Sequence, residues 1–151
     1  MAYSEIPQLV SKISETTLTT ALLYKLAYLS SDGYALVPTS GAGFTTGQRE
    51  APFGVYYGGG GLTTSTETEA ITIGIGGILK LKMSSDSTMV PGDFISASSA
   101  GFGKVATTSE FIVGRLIDFT TGGERNVGSV LWSPIPHIGW PKAFVTSTAN
   151  T

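Results

Sequence analysis

The stretch AITIGIGGILKLKM, Ala70 to Met83, decides how the chain is read. Ile71, Ile73 and Ile75 alternate with Ala70 and Thr72. Gly76 and Gly77 then interrupt the run. Ile78, Leu79, Leu81 and Met83 follow, with Lys80 and Lys82 on the opposite side. A period of two places successive side chains on opposite faces of a strand. Two such runs about a glycine pair predict a β-hairpin, turning at Gly76-Gly77.

The same grammar repeats on both sides. In YKLAYLSSDGYALVPTS, Tyr24, Leu26 and Tyr28 alternate, Ser-Asp-Gly turns the chain, and Tyr34 and Leu36 run back to a stop at Val37-Pro38. FGVYY is a short strand ended by the four glycines Gly58 to Gly61. PGDFISASSAGFGKV, Pro91 to Val105, predicts two strands joined by a small-residue turn at Ser98 to Gly101. EFIVGRLIDFT is a strand with Ile112, Gly114, Leu116 and Asp118 on one side and Val113, Arg115 and Ile117 on the other; SVLW is the last. Short strands with regular turns predict an all-β fold, a small barrel or sandwich of antiparallel strands.

Three regions follow: an N-terminal arm over residues 1–20, a β domain over 21–133 and an irregular tail over 134–151. The arm is Thr-rich and carries Pro7, so it reads as extended or loosely structured, with a short helix from Ser11 as the rival. The tail has several prolines close together, which suits a wrapping segment better than a central strand. Two segments also share an order of features. YKLAYLS, SDGYALV, PFGVYYGGG and the Ala70–Met83 stretch parallel GDFISAS, SAGFGKV, FIVGRLIDFTTGG and NVGSVLW. A pseudo-duplicated scaffold and the ordinary repetition of a meander both account for that echo.

The chain has 151 residues, no cysteine, a net charge of -2 and only 13% charged residues, about half the usual share near 25%. Its length suits one domain that folds without disulfides or metals. The absence of a basic field argues against nucleic-acid binding. The N-terminus lacks the cationic start and apolar run of a signal peptide, and no stretch approaches the length of a membrane span. A mean hydropathy of +0.20 with so few charges suits an oligomer or an assembly subunit.

Motifs that carry chemistry fail in detail. Around Gly103-Lys104 a phosphate loop would need glycine where Ser98 stands and a hydroxyl where Val105 stands. GAGFTTG is one residue too long for a dinucleotide fingerprint. ASSAG, from Ala97, lacks the first glycine of a nucleophile elbow. His137 is the single histidine and lies in the proline-rich tail, so a packed or solvent-facing role outweighs a catalytic triad or metal site. Asp86, Asp93, Asp118 and Glu124 are dispersed, and Asp93 suits a turn cap better than a calcium site. Glu67 and Glu69 share one face, where a solvated strand edge outweighs a carboxylate pair. Trp132, Trp140, Tyr56 and Tyr57 could stack on a sugar, but core or interface packing is the commoner use of such rings. No catalytic residue, cofactor or metal ligand is therefore expected.

The order VPGDFISASSAGFGKVATTSEFIVGRLIDFTTGGERNVGSVLW resembles the C-terminal pattern of tailed-phage capsid decoration, or cement, proteins. The matching features are Gly92-Asp93, Gly103-Lys104, Val113-Gly114-Arg115-Leu116 and Gly123-Glu124. APFGVYYGGG with the Ala70–Met83 stretch is similar to the family's first half, so the likeness spans roughly residues 22–132. Arg115 stands where the family usually has a small or apolar residue, and the Pro/Trp tail has no counterpart. The resemblance implies a non-enzymatic β protein on the outer surface of a mature phage head. Its partners would be the major capsid protein and itself, as a homotrimer at local three-fold positions, without nucleic acid or membrane. Tyr3, Ile6, Pro7 and Leu9 in the arm and Trp140 and Phe144 in the tail are the candidate contact residues, because the apolar ones have no evident strand core to join. The alternative is a carbohydrate-binding β module of a fibre or adhesin; a small hydrolase has almost no support.

Overall fold

The computed structural model describes residues 7–14, 18–29, 33–38, 52–59, 70–84, 88–107, 110–120 and 126–135. In chain order the strands are β1 (Gln8–Ile13), β2 (Leu26–Leu29), β3 (Ala35–Leu36), β4 (Gly54–Gly58), β5 (Ala70–Gly76), β6 (Ile78–Lys82), β7 (Phe94–Ala97), β8 (Gly103–Val105), β9 (Ile112–Thr120) and β10 (Val127–Ile135). A single 3-10 turn, Thr20–Leu22, is the one helical element among the described residues. The fold is all-β: two five-stranded antiparallel sheets packed together, with orders β1-β5-β4-β2-β3 and β6-β10-β9-β7-β8.

The Ala70–Met83 stretch forms two strands, but they are not a hairpin. β5 pairs with β1 and β4, and β6 pairs with β10 in the other sheet. Between Gly76 and Ile78 there is only Gly77, at φ +77°. The commonest tight hairpin loop needs two residues. One glycine in the left-handed region makes a corner instead, and both edges of β5 are already occupied. The corner is held by the Trp132 N–H, which donates to the Gly77 carbonyl at 2.9 Å.

Gly77 also divides the molecule into two equivalent units. Numbering each sheet's strands from its own beginning gives the same order, first-fifth-fourth-second-third, twice. Matching the ladders rung by rung extends the equivalence to single residues. Ala27 faces Gly54 as Ile95 faces Gly114. Val55 faces Gly74 as Arg115 faces Leu131. A bulge skips Tyr57 in β4 and Ile117 at the matched place in β9. Val10 faces Ile73 as Leu79 faces Val130. Parallel bridges then join Ser14 to Ala35 and Met83 to Gly103.

The turns match too. The Tyr24 N–H donates to the Tyr56 carbonyl (2.8 Å) and the Tyr56 N–H to the Lys25 carbonyl (2.9 Å). Their counterparts run from Gly92 to Leu116 (2.7 Å) and from Leu116 to Asp93 (2.8 Å). Tyr24, at φ +65°, is the one non-glycine residue with positive φ among the described residues; Gly92 occupies the matched place at φ +99°. The echo in the sequence is thus a structural duplication, which a simple meander does not produce; of the Ala70–Met83 stretch only Ala70–Gly76 matches the NVGSVLW strand, while Ile78–Lys82 opens the second unit as the match of β1.

The units bury different cores. Leu18, Leu22, Ala27, Ala35, Val37, Tyr56, Ile71 and Ile73 pack within the first. Leu79, Leu81, Met83, Met89, Ile95, Val113, Leu116, Val130 and Trp132 fill the second, together with Leu26, Tyr28 and Val55 from the first. β2 is therefore buried on both faces, with Ala27 turned one way and Leu26 and Tyr28 the other.

Three other expectations change. Residues 8–13 of the arm are extended but are not a loose lead-in, because β1 is hydrogen-bonded along β5. Leu116 is buried while Asp118 is exposed, because the Ile117 bulge moves them to opposite sides. β10 continues to Ile135, and Pro134 falls in an irregularity between Trp132 and Ile135, past the end of β6 pairing.

Gly54 and Gly114 are identical at matched positions for one reason. A Cβ at Gly54 would meet Ile73 and the Gly74 carbonyl; at Gly114 it would meet the equivalent Val130 and Leu131 carbonyl. Gly54→Ala and Gly114→Ala are each expected to cost about 1–3 kcal/mol or more, read as lower urea midpoints. A neutral result at either would contradict the close approach shared by the two units.

Candidate functional site

Among the described residues three polar or aromatic clusters present themselves, and each has a part in the scaffold. The first is the turn that opens β7. The Val90 N–H donates to Asp93 Oδ2 at 2.9 Å, and the Asp93 N–H donates to the Val90 carbonyl at 3.1 Å. Asp93 caps that turn, as its sequence context suggested. Arg115 completes it, with Nε donating to the Gly92 carbonyl at 3.3 Å and the guanidinium 5.1 Å from the Phe94 ring centre.

The second cluster surrounds Glu110. Its carboxylate pairs with Lys104 and accepts from Ser96 Oγ at 2.9 Å and from the Thr107 N–H at 2.7 Å. Partial burial pushes the carboxyl up, but hydrogen bonds from Lys104, Thr107 and Ser96 outweigh it and hold the group below its usual range. The arrangement ties the segment before β9 to the β7–β8 hairpin. That hairpin forms as the sequence predicted: Ile95 faces Val105 and Ala97 faces Gly103. At its tip, the Ser98 hydroxyl accepts from the Phe102 N–H at 3.0 Å and Gly101 takes φ +81°. Gly103 is packed too closely for a side chain, since a Cβ there would lie 2.6 Å from Met83 Sδ. The Gly-Asp and Gly-Lys pairs are thus turn and packing devices.

The third cluster is the seam between the units. Lys25 is 4% exposed. Its Nζ donates to the Pro38 carbonyl at 2.5 Å and stands 4.7 Å from the Phe102 ring centre. Desolvation, then the nearby Lys82 charge, pulls its pKa down. The Leu26 N–H donates to Gly101 (2.8 Å), the Lys82 N–H to Tyr24 (2.8 Å) and the Lys80 N–H to the Tyr57 hydroxyl (2.6 Å). Lys82 Nζ reaches the Ala21 carbonyl. The Lys80 and Lys82 N–H bonds occupy outward-facing amides of β6, which would otherwise be an open strand edge.

Among the described residues, the aromatic side chains considered as a sugar platform do not meet on one surface. Trp132 and Tyr56 are buried in different cores. Tyr57 stacks edge-on against Tyr24 at 5.4 Å and accepts the seam hydrogen bond. Burial raises the Tyr28 pKa to about 12 and shifts Tyr56 in the same direction. Trp140 lies outside the described residues, as do His137, Asp86, Glu67, Glu69 and Glu124. Among the described residues no group of three or more His, Asp or Glu side chains could hold a metal ion.

What remains is apolar surface. Leu9 is 50% exposed on β1, with Val10 and Ile13 exposed beside it. Pro7 is half-buried at the start of the strand. Of the expected contact residues, Leu9 and Pro7 thus lie together at a sheet edge, and Tyr3, Ile6, Trp140 and Phe144 lie outside the described residues. Sequence reasoning missed Ile13 and Val10 on β1, and Leu131 (44% exposed) and Val90 (56%) on the second unit. Alternation alone assigned Leu131 and Val90 no exposed role.

Comparison with known proteins finds no matching family model, no matching curated protein and no matching solved structure.

The Glu110 cluster gives a pH-dependent expectation. A carboxyl whose folded pKa is depressed contributes stability above its unfolded pKa and loses it as pH falls through the folded value. Glu110→Gln should therefore cost about 1–2 kcal/mol at neutral pH. Its deficit against the unaltered chain should shrink as urea melts are repeated at progressively more acid pH. A deficit independent of pH would show that the charge is not what matters.

Proposed function

We propose that this chain is a non-enzymatic capsid decoration protein, binding the exterior of a mature phage head and stabilising it, and that it works as a homotrimer at local three-fold positions. The observation that carries the reading is the likeness of the Gly92–Trp132 stretch to the cement pattern. Its glycines and Asp93 have structural jobs here: a turn with its cap, a close packing against Met83, and a strand crossing too tight for a Cβ. Such motifs specify a scaffold, which suits a protein whose work is adhesion.

The physics of cementing needs complementary surface more than a pocket. A protein that binds the expanded shell and not its precursor stabilises the expanded state by mass action. The apolar edge at Pro7, Leu9 and Ile13 offers surface for such binding, next to the chain's first residues. Segments that order on binding lose conformational entropy but can span neighbouring subunits. The major capsid protein is the partner this reading requires.

Co-sedimentation tests it. The purified chain should pellet with expanded, decoration-free shells and stay in solution with unexpanded ones. Removing residues 1–6, which spares β1, should weaken pelleting while leaving the far-ultraviolet circular dichroism unchanged. A chain that pellets with neither kind of shell is not a cement protein, and full binding after the truncation removes residues 1–6 from the contact.

A further inference from the structure

The internal duplication specifies a contact between copies of the chain. Within one chain, the outer face of the first unit closes the core of the second through Leu26, Tyr28 and Val55. β4 and β5 lie against β6, and β5 also lies against β10. The turn Leu22–Lys25 adds the Tyr24 carbonyl, which accepts from Lys82. The contact thus has a donating face, on the first unit, and a receiving strand, β6.

Rung matching locates both halves again, on the opposite units. The receiving strand β6 corresponds to β1, so Ile78, Leu79 and Lys82 become Leu9, Val10 and Ile13. The donating face corresponds to β7, β9, β10 and the Val90–Asp93 turn, so Leu26 and Tyr28 become Phe94 and Ser96, Val55 becomes Arg115, and Gly74, where a Cβ would lie 2.8 Å from Leu79, becomes Leu131, which would meet the shorter Val10. Seven large apolar side chains are exposed among the described residues. Three of them, Leu9, Val10 and Ile13, lie on the translated receiving strand. Leu131 lies on the translated donating face, and Val90 lies in the turn matched to the seam turn. Five of seven on these two places is the pattern expected if each half meets its complement on another molecule.

We infer that the chain self-associates head to tail, the β9–β10 face of one copy seating on β1 of the next through the surfaces matched to the internal contact, with the backbones farther apart to admit Leu131 where that contact has Gly74. The intermolecular version is smaller. Ser96 and Lys104, on the far side of the donating face, are engaged by Glu110. Arg115, whose guanidinium lies over Phe94 and bonds the Gly92 carbonyl, places a charge where the internal contact has Val55, and burying it without an opposite charge weakens association. A head-to-tail contact gives a finite particle when its rotation closes, as in a ring. The inference rests on the self-association proposed above and not on shell binding.

Sedimentation equilibrium of the full chain tests it, with Leu9→Asp on the receiving strand and Leu131→Asp on the donating face. Both positions are exposed, so circular dichroism should be unchanged. The unaltered chain should assemble and each variant alone should be monomeric. Their equal mixture should form a two-chain complex, because one intact face and one intact strand remain. Arg115→Val, which restores the residue of the internal contact, should tighten assembly about tenfold or more, and adding Leu9→Asp should abolish that gain. A monomeric unaltered chain, a single variant that assembles normally, a mixture that stays monomeric, or no tightening by Arg115→Val would each overturn the inference. A monomeric chain that still pellets with expanded shells would remove it and leave the shell-binding reading in place.

Discussion

Leu26 and Tyr28 point into one core while Ala27, between them, points into the other. A strand buried on both faces cannot leave its sheet without opening two cores, so β2 couples the units. Fully burying a large apolar side chain stabilises by about 1.5–3 kcal/mol, and Leu26, Tyr28 and Val55 contribute that to the second unit while belonging to the first. The seam hydrogen bonds add direction to this contact, since they join the outward amides of β6 to Tyr24 and Tyr57. The molecule is two sheets by topology and one body by packing.

The duplication explains where the two halves diverge. Inner positions keep their apolar character: Ile73 matches Val130, and Ala27 matches Ile95. Outer positions change with what covers them. Val55, under the second unit, matches exposed Arg115; Tyr28 matches Ser96, which binds Glu110. Burial imposed one chemistry on the covered face, and solvent permitted another on the matched face. Tyr24 and Gly92 show the same logic in the backbone. The turn needs a left-handed residue, glycine supplies it without steric cost, and in the first unit a tyrosine is held there while its ring packs on Tyr57.

This architecture suits a role in adhesion. Lys25 and Glu110, each partly or wholly buried, are held by the scaffold through the Pro38 carbonyl and Phe102 ring and through Lys104, Ser96 and the Thr107 N–H. The exposed apolar side chains concentrate instead on strand β1 and the matched outer surface of the second unit. A rigid double scaffold with apolar ends is a physical basis for binding other protein surfaces, and for the decoration function proposed.

Local chemistry determined a good deal by sequence alone. Alternation marked the strands and named the all-β class. Small residues with positive φ placed the β2–β3 and β7–β8 hairpins, with Gly33 and Gly101 at their tips. Asp93, with no calcium-loop run around it, read as a turn cap, and the echo between the halves was visible in its order of features. Part of the exposed apolar edge was legible too, because Leu9 had no evident core to join and is half exposed on β1. Beyond those hairpins, tertiary structure decided which strands pair. Alternation reports the two faces of a strand, but pairing happens at its edges, and those are occupied by segments distant in sequence. β1 and β4 fill both edges of β5, so the Gly77 stretch became a corner between sheets and the arm became a strand. The match of β1 with β6 was hidden for the same reason: their residues differ, and only a shared place in the ladder makes them equivalent.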